Sequence, residues 1–410
     1  MAARKESGAY ELSFYDVPDR RVTRAGATLS RRLAKGKGIW QLEFEQPDGS
    51  HARLEQPGGP SSPPSRIARA LPALLRSQDP ERVLRVSVHR DGSRETVEVL
   101  EGPYPSEQLE PAGVRAFVLG VLGCDEPAPT EPIGRLRAML ARQYEEILRH
   151  DLGVRLDLDA ESVHRFRVAT RRARAVLRAA RPVLDREWSE PLRTELKWLG
   201  SSLGPRRDLD VLVTHLDTEI ARLEQPEQKA AETLVKSLEH EREAAQVLAV
   251  EALSSERYFR LLDELEAAAR GAKVRRSEVA LSKLAAREFK RLRKAARRLG
   301  PDATDGELHE ARILGKRARY AAELAGPELG KGGARLLKRA KTFQDVLGAH
   351  QDAIVAEGRL RGLLGDAPGT GAAFAAGRLV ERQRLRRREA RAKVPKAWRA
   401  LERSAEAALG

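Results

Sequence analysis

Two segments of this sequence repeat histidine and arginine at a spacing suited to holding an anion. HRFRVATRRAR begins at His164 and HEARILGKRARY at His309, and both read His-x-x-Arg-x-x-x-(Arg/Lys)-Arg-x-Arg. At about 100° per residue, His164, Arg167, Arg171, Arg174 and Arg178 share a helical stripe about 80° wide. Phe166, Ala169, Ala173, Val176, Leu177 and Ala180 take the opposite side. His309, Arg312, Lys316 and Arg319 fill the same stripe in the second copy. Arginine offers phosphate a planar, bidentate fork, and lysine offers a point charge. No acid interrupts residues 164–178, so these cations are not neutralised along their own helix. Like charges three or four positions apart cost a helix about 0.2–0.5 kcal/mol per pair. A single basic stripe opposite an apolar face is ordinarily a solvated surface. Its recurrence with the same His and Arg positions argues for a shared anion.

A second match follows each stripe. WLGSSLGPRRDLDVL (198–212) aligns with FQDVLGAHQDAIVA (343–356), and Lys197 and Lys341 stand just before. Register shifts by one residue over the intervening distance, which points to a duplication. His164, His309 and His350 could serve as metal ligands, but no His-x-x-x-His or nearby carboxylate pair accompanies them, and the flanking cations repel a divalent ion. No metal site or cofactor is expected. Asp208, Asp210 and Asp352 fit pairing with neighbouring arginines or helix capping better than a magnesium-bound phosphate. Two further basic runs, REFKRLRKAARR (287–298) and RQRLRRREAR (382–391), have no counterpart in the other copy. Either reading, ligand contact or solubilising face, suits them.

Charge is distributed unevenly. The chain has 75 Lys plus Arg against 60 Asp plus Glu, a net charge of +15. Residues 1–128 hold 18 of each sign, whereas 129–410 hold 57 basic and 42 acidic residues. The excess therefore belongs to the C-terminal part and implies a polyanionic partner for it. Aromatic residues make up only 4%, too few for the stacking platforms of single-strand nucleic-acid binders. A lone cysteine, Cys124, excludes a disulfide framework and fits a reducing cytosol. No apolar run reaches membrane-spanning length, and a cytoplasmic protein is expected.

The elements that must position these residues are helical. From Pro132 onward, Leu and Ala recur every three or four residues, with breaks near 151–160, 182–190, 204–206, 225, 254, 271–276, 300–306, 326–332 and 366–371. That spacing predicts two four-helix units, about 131–223 and 277–365, joined by a long helical hairpin and closed by a helix at 372–409. Residues 8–102 read as β-rich. Tyr10–Tyr15, Trp40–Glu45, Arg82–Arg90 and Thr96–Leu100 are strand-like, DGSRE (91–95) is a hairpin turn, and Arg66–Arg76 is a short helix after QPGGPSSPPS (56–65). Residues 103–130 read as a short helix and a linker, leaving a helical domain at 131–410.

The paired motifs, with the LGxxxD turns at Leu203–Asp208 and Leu347–Asp352, resemble the CHAD domain (conserved histidine α-helical domain) over about residues 131–365. The resemblance implies an all-α fold of two four-helix units around a basic cavity or groove, binding inorganic polyphosphate and in some members associated with polyphosphate granules. By motif position it implies ligand contacts from His164, Arg167, Arg171, Arg174, Arg178, Lys197, Arg206 and Arg207. The second unit supplies His309, Arg312, Lys316, Arg319, Lys341 and His350. Gln351 departs from the basic residue at Arg207. Over about 8–102, FYDVPDRRVTRAGATLSRR (14–32) and Trp40–Glu45 are similar to part of a CYTH (triphosphate tunnel) domain. That family's first strand carries Glu-x-Glu-x-Lys for metal and triphosphate, and no such motif precedes Tyr10. Metal-assisted phosphoryl chemistry needs both carboxylates and cations.

The whole chain is thus expected to be an α+β multidomain protein, a truncated antiparallel CYTH-like domain before a CHAD domain. Its expected function is polyphosphate binding without catalysis. A CYTH-type triphosphate-processing enzyme and a general nucleic-acid binder are the competing readings.

Overall fold

The computed structural model describes residues 8–76, 78–91, 94–102, 132–273, 280–300, 302–365 and 369–410. The expected linker at 103–130 and residues 92–93 of the expected hairpin turn lie outside the described residues. Contacts divide the chain into two units, one of residues 1–128, 142–169 and 250–263, the other of 129–141, 170–249 and 264–410.

In the first unit, strands β1 (Gly8–Asp16), β2 (Ala27–Ala34), β3 (Lys37–Glu45), β4 (His51–Pro57), β5 (Glu81–Asp91) and β6 (Arg94–Glu101) form one antiparallel sheet. Their order is β4-β3-β2-β1-β5-β6. β1, β3, β5 and β6 contain the expected strands. β2 and β4 were not legible as strands: β2 is buried on both sides over Ala27–Ser30 and so lacks the alternation that marks a half-buried strand. β4 (HARLEQP) does alternate in burial, but its inner face is only Ala52, Leu54 and Gln56, without the β-branched or aromatic residues that mark a strand. Between β2 and β3, Lys35 and Gly36 both have positive φ, as a two-residue hairpin turn requires. Phe14, Leu84, Val86, Val88 and Val97 form a cluster on the β1–β5–β6 half. Leu29, Trp40, Leu42 and Phe44 are buried on the β2–β3 half. Phe14 pairs with Ser30, not Leu29, so these two apolar sets occupy opposite faces.

The helix expected over Arg66–Arg76 is instead two single turns, α2 (Ser65–Ala68) and α3 (Pro72–Leu75), after a first short turn, α1 (Arg21–Arg24). Pro72 has no amide hydrogen to continue a helix from α2 and is accommodated at the start of α3. The buried Asp16 carboxylate organises α1 by accepting from the amides of Val17, Val22 and Thr23 and from the Thr23 hydroxyl.

The helices are α4 (Pro132–Arg155), α5 (Ala160–Ala179), α6 (Arg186–Ser202), α7 (Gly204–Ile220), α8 (Gln225–Leu253), α9 (Glu256–Gly271), α10 (Leu281–Ala296), α11 (Asp305–Ala325), α12 (Gly333–Gly365) and α13 (Thr370–Leu409). A 3₁₀ turn, Gly326–Gly332, precedes α12. Local chemistry accounts for several of these boundaries. Asp185 caps α6 by accepting from the Glu187 amide, and Thr304 with Glu307 forms a reciprocal capping box on α11. Four helices, α4–α7, span the first repeat as expected. The second repeat differs, because α12 runs unbroken where the first has both α6 and α7. Pro205 removes an amide donor at the start of α7, whereas the aligned stretch LGAHQD has no proline. The second unit's long helices are held by an apolar seam of Leu212, Leu216, Leu234, Leu238, Leu360 and Leu379.

A candidate anion-binding site

α5 carries Arg171, Arg174 and Arg178 outward because Ala173, Val176 and Leu177 are buried on its other side. The Arg171 Nε donates to the Tyr320 hydroxyl of α11 at 3.1 Å, tying the two stripe helices together. α11 presents Arg312, Lys316 and Arg317 beside them while Ala311, Gly315 and Ala318 are buried. α6 adds Arg193, and α10 adds Arg291.

Electrostatic coupling shows how closely these groups gather. Burial and the neighbouring Arg193, Arg171 and Arg317 hold Arg174 below the ordinary arginine pKa. Arg178 is lowered by burial and by Arg317, Arg193 and Arg291, with Glu288 acting the other way. Arg317 is lowered by burial, with Arg291 and Arg193 adding to the shift against Glu288. Burial and Arg171 likewise lower Arg312 against the pull of Asp352. Its buried Nε has no hydrogen-bond partner among the described residues. These guanidinium groups remain charged at neutral pH, so their shifts report burial first and crowding of positive charge second, rather than titration.

Carboxylates balance only part of this charge. Glu190 pairs with Arg193, Glu288 pairs with Arg291, and Asp352 faces Arg312, Lys316 and Arg386. Desolvation pushes the Asp352 carboxyl above its ordinary value despite those cations. A crowded set of arginines from α5, α6, α10 and α11 can donate many parallel N–H groups to phosphate oxygens.

The remaining predicted residues are placed variously. His164 and Arg167 are half-buried on the first half of α5, which belongs to the first unit. Lys197 is exposed one turn beyond Arg193 on α6, and Lys341 is exposed on α12. Eleven residues separate Lys341 from Asp352, about three turns, so both lie on one side of α12. His309 is exposed and its Nδ1 meets the Gln351 amide oxygen at 2.8 Å, so the departure at Gln351 still engages the motif histidine. Arg207 is half-buried at the start of α7.

Three of the predicted residues are occupied elsewhere. Arg206 is fully buried, ion-paired with Asp210 and bonded to Gln246, so it braces α7 against α8 rather than presenting donors to a ligand. His350 is 2% exposed and faces Asp305 at 3.2 Å. Arg319 donates to Glu323 at 2.8 Å and to Gln344 at 3.1 Å.

Arg193, Arg291 and Arg317 join the cluster without having been singled out. Arg317 was present in the motif, but lies about 80° from His309 on the far side of the stripe. Arg291 belongs to one of the two additional basic runs, while Arg193 is hidden between Glu190 and Glu195. The other run, on α13, is largely committed to pairing: Arg382 with Glu219, and Arg384 and Arg387 with Glu357. Among the described residues, no group of three His, Cys, Asp or Glu could hold a metal ion. Nor is any described helix long and apolar enough to cross a membrane.

Comparison with known proteins agrees with this architecture. The family model described as "CHAD domain" matches residues 138–361. Two Mycobacterium tuberculosis proteins, "Uncharacterized protein MT2285" (strain CDC 1551 / Oshkosh) and "Uncharacterized protein Rv2226" (strain ATCC 25618 / H37Rv), are each 25% identical over 420 residues, covering 85% of this chain and 80% of theirs. Among solved structures, the CHAD domain from the plant Ricinus communis is similar with a TM-score of 0.53 at 25% identity, over 68% of this chain and 95% of that one. PptA from Streptomyces chartreusis shares the fold with a TM-score of 0.56 at 24% identity, over 66% of this chain and all of its own. The six-stranded antiparallel sheet ahead of the matched region fits a CYTH-like fold.

Proposed function

The chain belongs to the CHAD domain family, and from that premise we propose that its helical region binds inorganic polyphosphate. The observation that carries this reading is the convergence of Arg171, Arg174, Arg178, Arg193, Arg291, Arg312 and Arg317, within which burial and the neighbouring cations hold Arg174, Arg178, Arg312 and Arg317 below the ordinary arginine pKa. Such a cluster stores repulsion in the empty protein, and a linear polyanion relieves it at many points along one chain. Affinity then increases with chain length and falls with salt, through multivalency and counterion release.

Catalysis is not part of this proposal. The Glu-x-Glu-x-Lys motif of a metal-dependent triphosphatase is missing ahead of Tyr10, and in the N-terminal sheet Glu11 is paired with Arg85 and Glu43 with Arg53. Binding to cytoplasmic polyphosphate, including its granules, is the cellular setting proposed.

Nucleic acid is the alternative partner, since its phosphates meet the same electrostatic demand. Labelled polyphosphate bound to the full chain, challenged with duplex DNA at equal phosphate concentration and fixed ionic strength, separates the two. Retention of polyphosphate supports the proposal; displacement by DNA at stoichiometric phosphate refutes it.

A further inference from the structure

Glu288 occupies an unusual position for a carboxylate. It lies on α10 with a side chain 14% exposed, and its Oε1 pairs with Arg291. Its Oε2 is buried and has no hydrogen-bond partner among the described residues. Arg178 on α5 and Arg317 on α11 both feel its charge. An ionised carboxylate oxygen surrounded by guanidinium groups would ordinarily accept from several of them. Here one oxygen is anchored to its own helix, and the other interacts with the cluster through charge alone.

We propose that Glu288 is the site's internal counter-anion, neutralising the Arg178–Arg291–Arg317 corner in the empty protein and yielding it to a bound phosphate. The inference rests on the polyphosphate reading and adds a threshold to it. Glu288 weakens every phosphate ligand that uses this corner by a similar factor. Orthophosphate and other short anions, which make few contacts, then fall below useful affinity. A long chain keeps its hold because its many other contacts offset the same single displacement. The carboxylate needs little travel to yield Arg178 and Arg317, since Oε1 remains with Arg291 on α10.

Glu288→Gln tests this, because it removes the charge and preserves the shape. Glu310→Gln is the control, making the same change in net charge on α11, where Glu310 pairs with Arg298 away from the cluster. Kd is measured by calorimetry for tripolyphosphate and for long-chain polyphosphate, with thermal unfolding recorded for each variant. The expected result is at least about fivefold tighter binding of both ligands by Glu288→Gln, against less than about twofold for Glu310→Gln. The slope of log K on log salt steepens by about 0.7–0.9, one further phosphate being neutralised. Glu288→Ala, which removes the carboxylate with its bulk, should tighten binding too if the glutamine variant unfolds. Unchanged or weaker binding by both Glu288 variants, with wild type binding normally, overturns the counter-anion. Equal gains from Glu288→Gln and Glu310→Gln also overturn it, as an effect of net charge alone. Failure of wild type and both Glu288 variants to bind either ligand instead overturns the polyphosphate reading beneath it.

Discussion

Replacing Arg174 and Arg317 together with alanine should weaken polyphosphate binding and stabilise the empty protein. The two residues stand on α5 and α11, and Arg317 is among the charges that depress Arg174. Neither side chain has the bracing hydrogen bond that Arg171 makes to Tyr320. If a bound chain neutralises about six cluster charges, at about 0.7 counterions each, log K falls with log salt at a slope of about −4. Affinity then drops about 300-fold between about 50 and 200 mM salt. Losing two charges brings the slope to about −3 and the drop to about 50-fold. Relief of repulsion works in the opposite direction on stability. At about 0.2–1 kcal/mol per exposed charge interaction, Tm should rise by about 1–3 °C for a protein of this size. Calorimetric titration at several salt concentrations and a thermal melt read both effects. An unchanged salt slope together with a lowered Tm would refute the reasoning, because the arginines would then be structural.

Arg206→Leu should instead destabilise the fold by about 3–5 kcal/mol in denaturant titration, since it strips a buried Asp210 of a partner; full stability would show that the pair does not brace α7. A comparable loss is expected for Arg155→Ala, which leaves the buried Asp151 with Tyr258 but without its cation. Burial holds His215 and His350 below the ordinary histidine pKa, so the unfolded chain takes up protons first as pH falls below about 6.5. Stability should therefore decline from neutral pH toward the lowered folded pKa values and then level off for these groups, and His350→Gln should flatten that slope. Incubation of the full chain with magnesium and tripolyphosphate should release no phosphate above a protein-free blank; steady turnover would overturn the non-catalytic reading of the sheet.

Much of the helical architecture was legible because proline, glycine and charge interrupt a regular apolar period. Pro205 announced the α6–α7 break, and the stretch 326–332 announced the turn before α12. The continuity of α12 was hidden by alignment with a repeat that carries that proline. In the sheet, β1 and β3 stood out by apolar and aromatic content, while β2, buried on both faces, showed no strand period. The candidate site was legible as far as helix geometry reaches. Repeated spacing identified Arg171, Arg174, Arg178, Arg312 and Lys316. Which arginine bends toward a neighbouring helix depends on packing across space, and a sequence period does not encode it. Arg317 therefore escaped the stripe while Arg319 was included, and Arg206 and His350 shared motif positions yet found carboxylates within the bundle.

Electron density from a crystal of the chain soaked with polyphosphate tests the central claim most directly. The account predicts phosphate groups within hydrogen-bond distance of Arg174, Arg178, Arg312 and Arg317. Density confined to the exposed basic face of α13, with that cluster empty, would contradict it.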